Sequence, residues 1–110
     1  MDQIKNSIIE LSNQYIDVLN KHNFSIQKAI LFGSYVKGNY KEYSDIDLAL
    51  ISKMFTGTRI VDRQSIVFYR RPVDHRIEPM PFTPEDFTED NPLVHEIQKF
   101  GEMIYDKNAL

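Results

Sequence analysis

The sequence predicts an α/β (α+β) domain, a small mixed sheet with helices packed on it. Three observations carry this. Apolar residues recur at helical spacing near the N-terminus. Short apolar runs, bounded by glycine, proline or acids, follow. A hydroxyl or amide followed by proline twice marks a helix start in the last third. Helical and extended segments alternate, the pattern of a sheet carrying helices. With 110 residues, the expectation is one domain over 1–110, because domains typically run from about 100 to 200 residues. A chain of this size buries about 65% of its unfolded surface, enough for one core and one site.

The elements follow in order. Ile4, Ile8, Leu11, Tyr15, Val18 and Leu19 form one apolar helical face of about five turns, which fades at Asn20 to Asn23. Ala29-Ile30-Leu31-Phe32 ends at Gly33 and reads as a buried strand. A polar loop runs from Lys37 to Ser44, with Gly38 and Asn39 as turn residues. Asp45 to Ile51 reads as a second strand with an acidic leading end. After a loop around Gly57, residues 59–70 read as a helix ended by Pro72. Arg76 to Met80 is a third strand. Pro79 and Pro81 cannot donate ladder hydrogen bonds, so that strand should lie at an edge. Thr83-Pro84-Glu85-Asp86 is a helix-start signal, and Asn91-Pro92 repeats it for a helix to about Phe100. Gly101 is expected to cap that helix. Met103 to Tyr105 reads as a last short strand.

Composition narrows the function classes. Thirteen Lys plus Arg stand against sixteen Asp plus Glu, a net charge of −3. A dedicated nucleic-acid binder shows a basic excess, so direct nucleic-acid binding is not expected. A nucleotide substrate stays open, since it needs only a few charges or a metal. There is no cysteine, which removes disulfides and thiolate metal sites. Charged residues interrupt the N-terminal apolar positions, unlike a signal peptide. No run approaches the roughly 18 apolar residues of a membrane span. A cytoplasmic protein away from the membrane is the expectation. His22, His75 and His95 are scattered and do not suggest zinc. Tyr40, Tyr43, Phe68 and Tyr69 fit core packing better than base stacking. Arg59, Arg63, Arg70 and Arg71 read as a solvated helix face.

The residues that carry chemistry are acids. Asp45 and Asp47 lie two apart on an expected strand, so both point to one face. Their Cα atoms should be about 6.7 Å apart, two strand rises. Carboxylates this close repel unless a cation lies between them, and oxygen donors suit Mg²⁺ or Mn²⁺. Gly33-Ser34 closes the preceding strand. Glycine there lets backbone approach a phosphate, and a serine hydroxyl with backbone N–H groups can hold its oxygens.

Gly33-Ser34, ten further residues, then Asp45-Ile46-Asp47 resembles the signature of the polymerase-β-type nucleotidyltransferase superfamily. The flanking Leu31-Phe32-Gly33-Ser34-Tyr35-Val36-Lys37-Gly38 and Ser44-Asp45-Ile46-Asp47-Leu48 strengthen the likeness. The match is closest to the minimal nucleotidyltransferases, often paired with a HEPN-domain toxin, and covers nearly the whole chain. The resemblance implies a nucleotidyltransferase fold. It also implies two Mg²⁺ (or Mn²⁺) held by Asp45, Asp47 and a third carboxylate from a later strand. By position that is Glu78, where the family more usually has aspartate; Asp74 is the rival. Gly33, Ser34, Lys37 and Ser44 are the implied nucleotide-binding residues. Tyr35 departs from the arginine many members carry after Gly-Ser, and Lys37 is the candidate for the lost charge.

The expected function is transfer of a nucleoside monophosphate, AMP from ATP, onto a hydroxyl of a HEPN-type partner protein. The alternative is a non-catalytic module of the same fold that neutralises its partner by occupancy. Nucleotidylation of a small molecule is a third reading. It is disfavoured because antibiotic-modifying relatives carry an additional domain for the acceptor, and 110 residues leave none.

Overall fold

The run Ile46–Ile51 is apolar on both sides of its pleat, and such a strand needs cover on both faces. It receives it. In this computed structural model, which describes residues 3–109, the elements run α1 (Gln3–Lys21), β1 (Lys28–Phe32), α2 (Ser34–Lys37), β2 (Ile46–Ile51), α3 (Arg59–Val67), a 3₁₀ turn (Phe68–Arg70), β3 (Ile77–Phe82), α4 (Pro92–Phe100) and β4 (Glu102–Asp106). Met1, Asp2 and Leu110, the ends of the expected domain, lie outside the described residues. The sheet order is β3-β2-β1-β4. β1 is antiparallel to β2 and β4, and β2 is parallel to β3, so the sheet is mixed as expected.

Alternation along the strands divides the core into two layers. Ala29, Leu31, Leu48, Leu50 and Ile77 face α1 and α3, where Ile8, Tyr15, Ile16, Leu19 and Ile66 cover them. Ile30, Ala49, Ile51 and Phe82 face the other way, under Val94 and Ile97 of α4. α4 is nine residues long.

The prolines of β3 are placed by hydrogen bonding. The Arg76 and Phe82 carbonyls accept from the Ile46 and Ser52 N–H groups of the β2 side, at 2.8 and 3.0 Å. The even positions of β3 therefore face β2. Pro79 and Pro81 take odd positions, whose missing N–H would point away from the sheet. β3 is an edge strand for that reason.

Two expectations are corrected. β2 begins at Ile46, so Asp45 is the last loop residue before it. The Thr83 signal forms a cap without a helix. Thr83 Oγ1 accepts from the Asp86 N–H at 3.2 Å, but the chain makes only a turn at 84–86. Phe87 packs against Phe82, ring centroids 5.2 Å apart, and α4 starts afresh at Asn91, whose Oδ1 accepts from Leu93 N–H at 2.9 Å. One turn cannot repay helix nucleation. Gly101 caps α4 as expected, its N–H donating to the Ile97 carbonyl, in extended backbone at φ −78°. Glycine serves space there: a Cβ would collide with the Ile97 carbonyl and stand 2.6 Å from Ile30 Cγ2.

Asp62 anchors the start of α3. It is 3% exposed and accepts from Thr56 N–H and Thr56 Oγ1, both at 2.9 Å, and from Gly57 N–H at 3.0 Å. Asp62→Ala leaves those donors unpaired and should cost about 2–3 kcal/mol. Urea unfolding followed by circular dichroism reads this; a midpoint within error of wild type contradicts it. Among the described residues, no helix is long and apolar enough to cross a membrane.

Candidate active site

Register builds the site. Phe32 of β1 pairs with Asp47 of β2, and Asp47 pairs with Glu78 of β3. Residues directly opposite share a face, so one row across three strands carries Phe32, Asp47 and Glu78. The next rows on that face, Ile30–Ala49–Met80 and Lys28–Ile51–Phe82, lie toward α4. The two acids stand where the covered apolar rows stop. Asp45 is exposed at the mouth of the same strand.

Asp47 is the strained member. Its carboxyl is pushed up to about 6, first by burial, then by the negative charges of Asp45 and Glu78. These three acids are thus electrostatically coupled, with Asp47 at the centre. Its carboxylate lies against Gly33. A Cβ on Gly33 would stand 3.1 Å from Asp47 Cγ and closer still to Oδ2. Gly33 also has φ 82° and ψ −150°, a conformation open in practice to glycine alone. Both facts require glycine beside Asp47. A half-buried carboxylate repelled by two others is a group that a hard cation would stabilise, and Asp45 and Asp47 offer it only oxygen. These two residues fit Mg²⁺ or Mn²⁺.

Glu78 is engaged elsewhere. Arg63 Nε donates to its Oε2 at 2.7 Å and Arg63 Nη2 to its Oε1 at 3.0 Å. Arg70 Nη1 lies 3.9 Å from Oε1 and donates to the Ile77 carbonyl at 2.8 Å. Among the described residues, no three acidic or histidine side chains form a ready cation cage.

The other expected site residues are distributed as follows. Ser34 opens the one-turn helix α2 directly after Gly33. Ser44 closes the turn that delivers Asp45, its Oγ accepting from Lys41 N–H at 2.7 Å. Lys37 is exposed and 3.8 Å from Glu96 of α4. Tyr35 is buried, stacked on Tyr40 with centroids 4.9 Å apart, and its hydroxyl accepts from Arg76 Nη1 at 3.2 Å. The residue after Gly-Ser therefore points into the core here. His22 packs on Tyr69, the rings tilted and their centroids 4.2 Å apart.

Asp74, the rival to Glu78, is tied to Arg76 by Nε at 3.0 Å and Nη2 at 2.9 Å, and by Arg76 N–H at 2.8 Å. The Arg76 side chain is the main reason its carboxyl lies below the usual range. A depressed carboxyl stabilises the fold above its unfolded value near 3.9, and that contribution is lost as pH falls through the lower folded value. Asp74→Asn should cost about 1–2 kcal/mol at pH 7. Its deficit against wild type should shrink below about pH 4. Thermal melts between pH 7 and 2.5 test this, and a deficit unchanged at low pH would refute it.

The solvated face is seen in Arg59 and Arg71, which are exposed, while Arg63 and Arg70 are half-buried. Arg63 and Arg70 turn to the edge strand and Glu78. Arg59 lies over the Phe82 ring at 4.8 Å and Arg71 over Phe68 at 5.2 Å. Tyr15, read as a core position, adds a buried hydroxyl that donates to the Ile66 carbonyl at 2.7 Å. Burial holds that phenol above its usual range. The available signal was the spacing of Arg63 and Arg70, seven residues and thus one helical face.

Comparisons with known proteins bear on the family and the fold. A family described as "Polymerase beta, Nucleotidyltransferase" matches residues 13–110. A relative from Methanocaldococcus jannaschii, named "Putative protein adenylyltransferase MJ1305", is 36% identical over 88 residues. That alignment takes in 72% of this chain and 58% of the relative, so the chain spans little more than half of that protein. A nucleotidyltransferase-type structure from Sulfolobus solfataricus superposes with a TM-score of 0.65 at 16% identity, over 94% of this chain and 84% of that one. A toxin–antitoxin structure with AMP-PNP superposes with a TM-score of 0.63 at 20% identity, over 87% and 73%. A mutant of the toxin–antitoxin MntA-HpeT gives 0.60 at 17%, over the same shares. These structural likenesses show a shared fold, and the family match extends over nearly all of the sequence that builds it. The chain belongs to the polymerase beta nucleotidyltransferase family.

Proposed function

We propose that this protein transfers AMP from ATP onto a hydroxyl of a partner protein, and that the partner is a HEPN-type toxin it restrains. The observation that carries the reading is the Asp47 carboxylate, seated on Gly33 and crowded by Asp45 and Glu78. Asp45 and Asp47 would hold Mg²⁺ or Mn²⁺, with Glu78 the third carboxylate of the site and the candidate for a second ion. The ion supplies charge neutralisation on the phosphates and polarisation of the attacking oxygen. Gly33 and Ser34 place backbone against the triphosphate, Ser44 fixes the approach of Asp45, and Lys37 adds positive charge at the rim. The acceptor oxygen bonds to the α-phosphorus, the bond to pyrophosphate breaks, and the hydroxyl proton passes to Glu78 once an oxygen of it is free of Arg63. The name of the M. jannaschii relative supports a protein acceptor, and those of the toxin–antitoxin neighbours support a toxin as partner.

The test is mass spectrometry of a HEPN-type partner after incubation with ATP and Mg²⁺, with Asp45→Ala as control. An AMP adduct formed by wild type alone supports the proposal. Toxin inhibition without an adduct, equal for wild type and Asp45→Ala, assigns the protein instead to neutralisation by occupancy. The Arg63–Glu78 pair is the feature that favours that second reading.

A further inference from the structure

Glu78 is held by a built cation. The guanidinium of Arg63 meets both of its oxygens in a fork, the strongest ion-pair geometry a carboxylate makes. The fork is not accidental to a flexible tip. α3 runs along the edge strand, setting Arg59 at Phe82 and, four residues on, Arg63 at Glu78. Arg70, two turns further, bonds the outward carbonyl of Ile77 beside Glu78. Tyr15 of α1 fastens the Ile66 carbonyl between the two arginines. Glutamate at 78 has the extra methylene that carries its oxygens outward to this helix. Oxygens taken by a guanidinium are not open to a divalent ion.

We infer that Arg63 is a positioning residue that holds Glu78 as an internal ion pair and thereby sets how many divalent ions the site takes. One ion is held at Asp45 and Asp47 while the pair is closed. A second enters when Arg63 releases Glu78. The pair is suited to opening, because its side chains are 40% and 35% exposed, and partly solvated ion pairs hold weakly. The inference rests on Asp45 and Asp47 being the ion ligands.

The test is Mn²⁺ titration of the intact protein without nucleotide, by calorimetry and electron paramagnetic resonance. Wild type should take one Mn²⁺ per chain. Arg63→Gln should take a second, or bind the first about tenfold more tightly, the scale on which groups around a ligand set metal affinity. Glu78→Gln with Arg63 present should change affinity by less than about threefold. Combining Glu78→Gln with Arg63→Gln should erase the gain. Arg63→Lys keeps the charge without the fork, should fall between wild type and Arg63→Gln, and serves if Arg63→Gln does not fold. Two ions in wild type, a tenfold loss in Glu78→Gln alone, or arginine variants identical to wild type would each overturn the inference. If Mn²⁺ binding is present but survives Asp47→Asn unchanged, or is absent altogether, the ion site itself fails and the inference with it.

Discussion

Asp47→Asn is expected to abolish nucleotidyl transfer and, in the same protein, to raise the stability of the ion-free fold. The two effects have one source. Asp47 carries its charge half-buried, with Asp45 and Glu78 nearby. A carboxyl raised to about 6 contributes to stability while protonated, below its unfolded value near 3.9, and loses that contribution as pH rises through about 6. At pH 8 the ionised group is a net cost. Discounted for solvent screening, relief is about 1–2 kcal/mol, or about 4–9 °C in thermal midpoint for a chain of this size. Transfer should fall by about 10²–10³-fold or more, the scale of losing one charge-stabilising group in a transition state. Mn²⁺ should raise the wild-type midpoint by mass action and leave that of Asp47→Asn nearly unmoved. Melts at pH 8 in a chelator, beside an adduct assay, measure both. A variant less stable than wild type under those conditions contradicts the account of crowded charge.

Gly33→Ala should damage the site more than any other one-carbon change, and Gly38→Ala supplies the contrast. Both glycines have positive φ, 82° and 85°. Nothing lies within 4 Å of a Cβ built on Gly38, whereas one on Gly33 strikes the Asp47 carboxylate. Gly38→Ala therefore meets only backbone strain, about 1 kcal/mol. Gly33→Ala adds displacement of Asp47, and should lose about 2–4 kcal/mol in all. A shift of catalytic groups by about 1 Å can cost about 10²-fold in rate, so transfer should fall at least that far while Gly38→Ala stays within about threefold. Equal losses in the two variants would show that close approach to Asp47 is not why Gly33 is needed.

Much of this site was legible before any fold was known, because the features concerned act locally. Gly33 needs its unusual backbone whatever surrounds it, and the two-residue spacing of Asp45 and Asp47 marks an acidic strand end even though Asp45 itself stays in the loop. Pro79 and Pro81 announce an edge because a missing N–H cannot be supplied by context. The partial failures have equally physical causes. The Thr83 cap formed, but Phe87 gained more by packing on Phe82 than by continuing a helix. Tyr35 lies in a motif position and yet belongs to the core, held by Tyr40 and Arg76.

Spacing and alternation along the chain determine the acids, the glycine and the strands that carry them, since each depends on neighbours within a few residues. Only the tertiary structure decides what those acids meet. The parallel pairing of β2 with β3 sets Glu78 beside Asp47, and the run of α3 along that edge brings Arg63 from fifteen residues away to take its charge. A side chain's charge partner is a matter of distance in space, and no local periodicity encodes which residue of one element will come within reach of another.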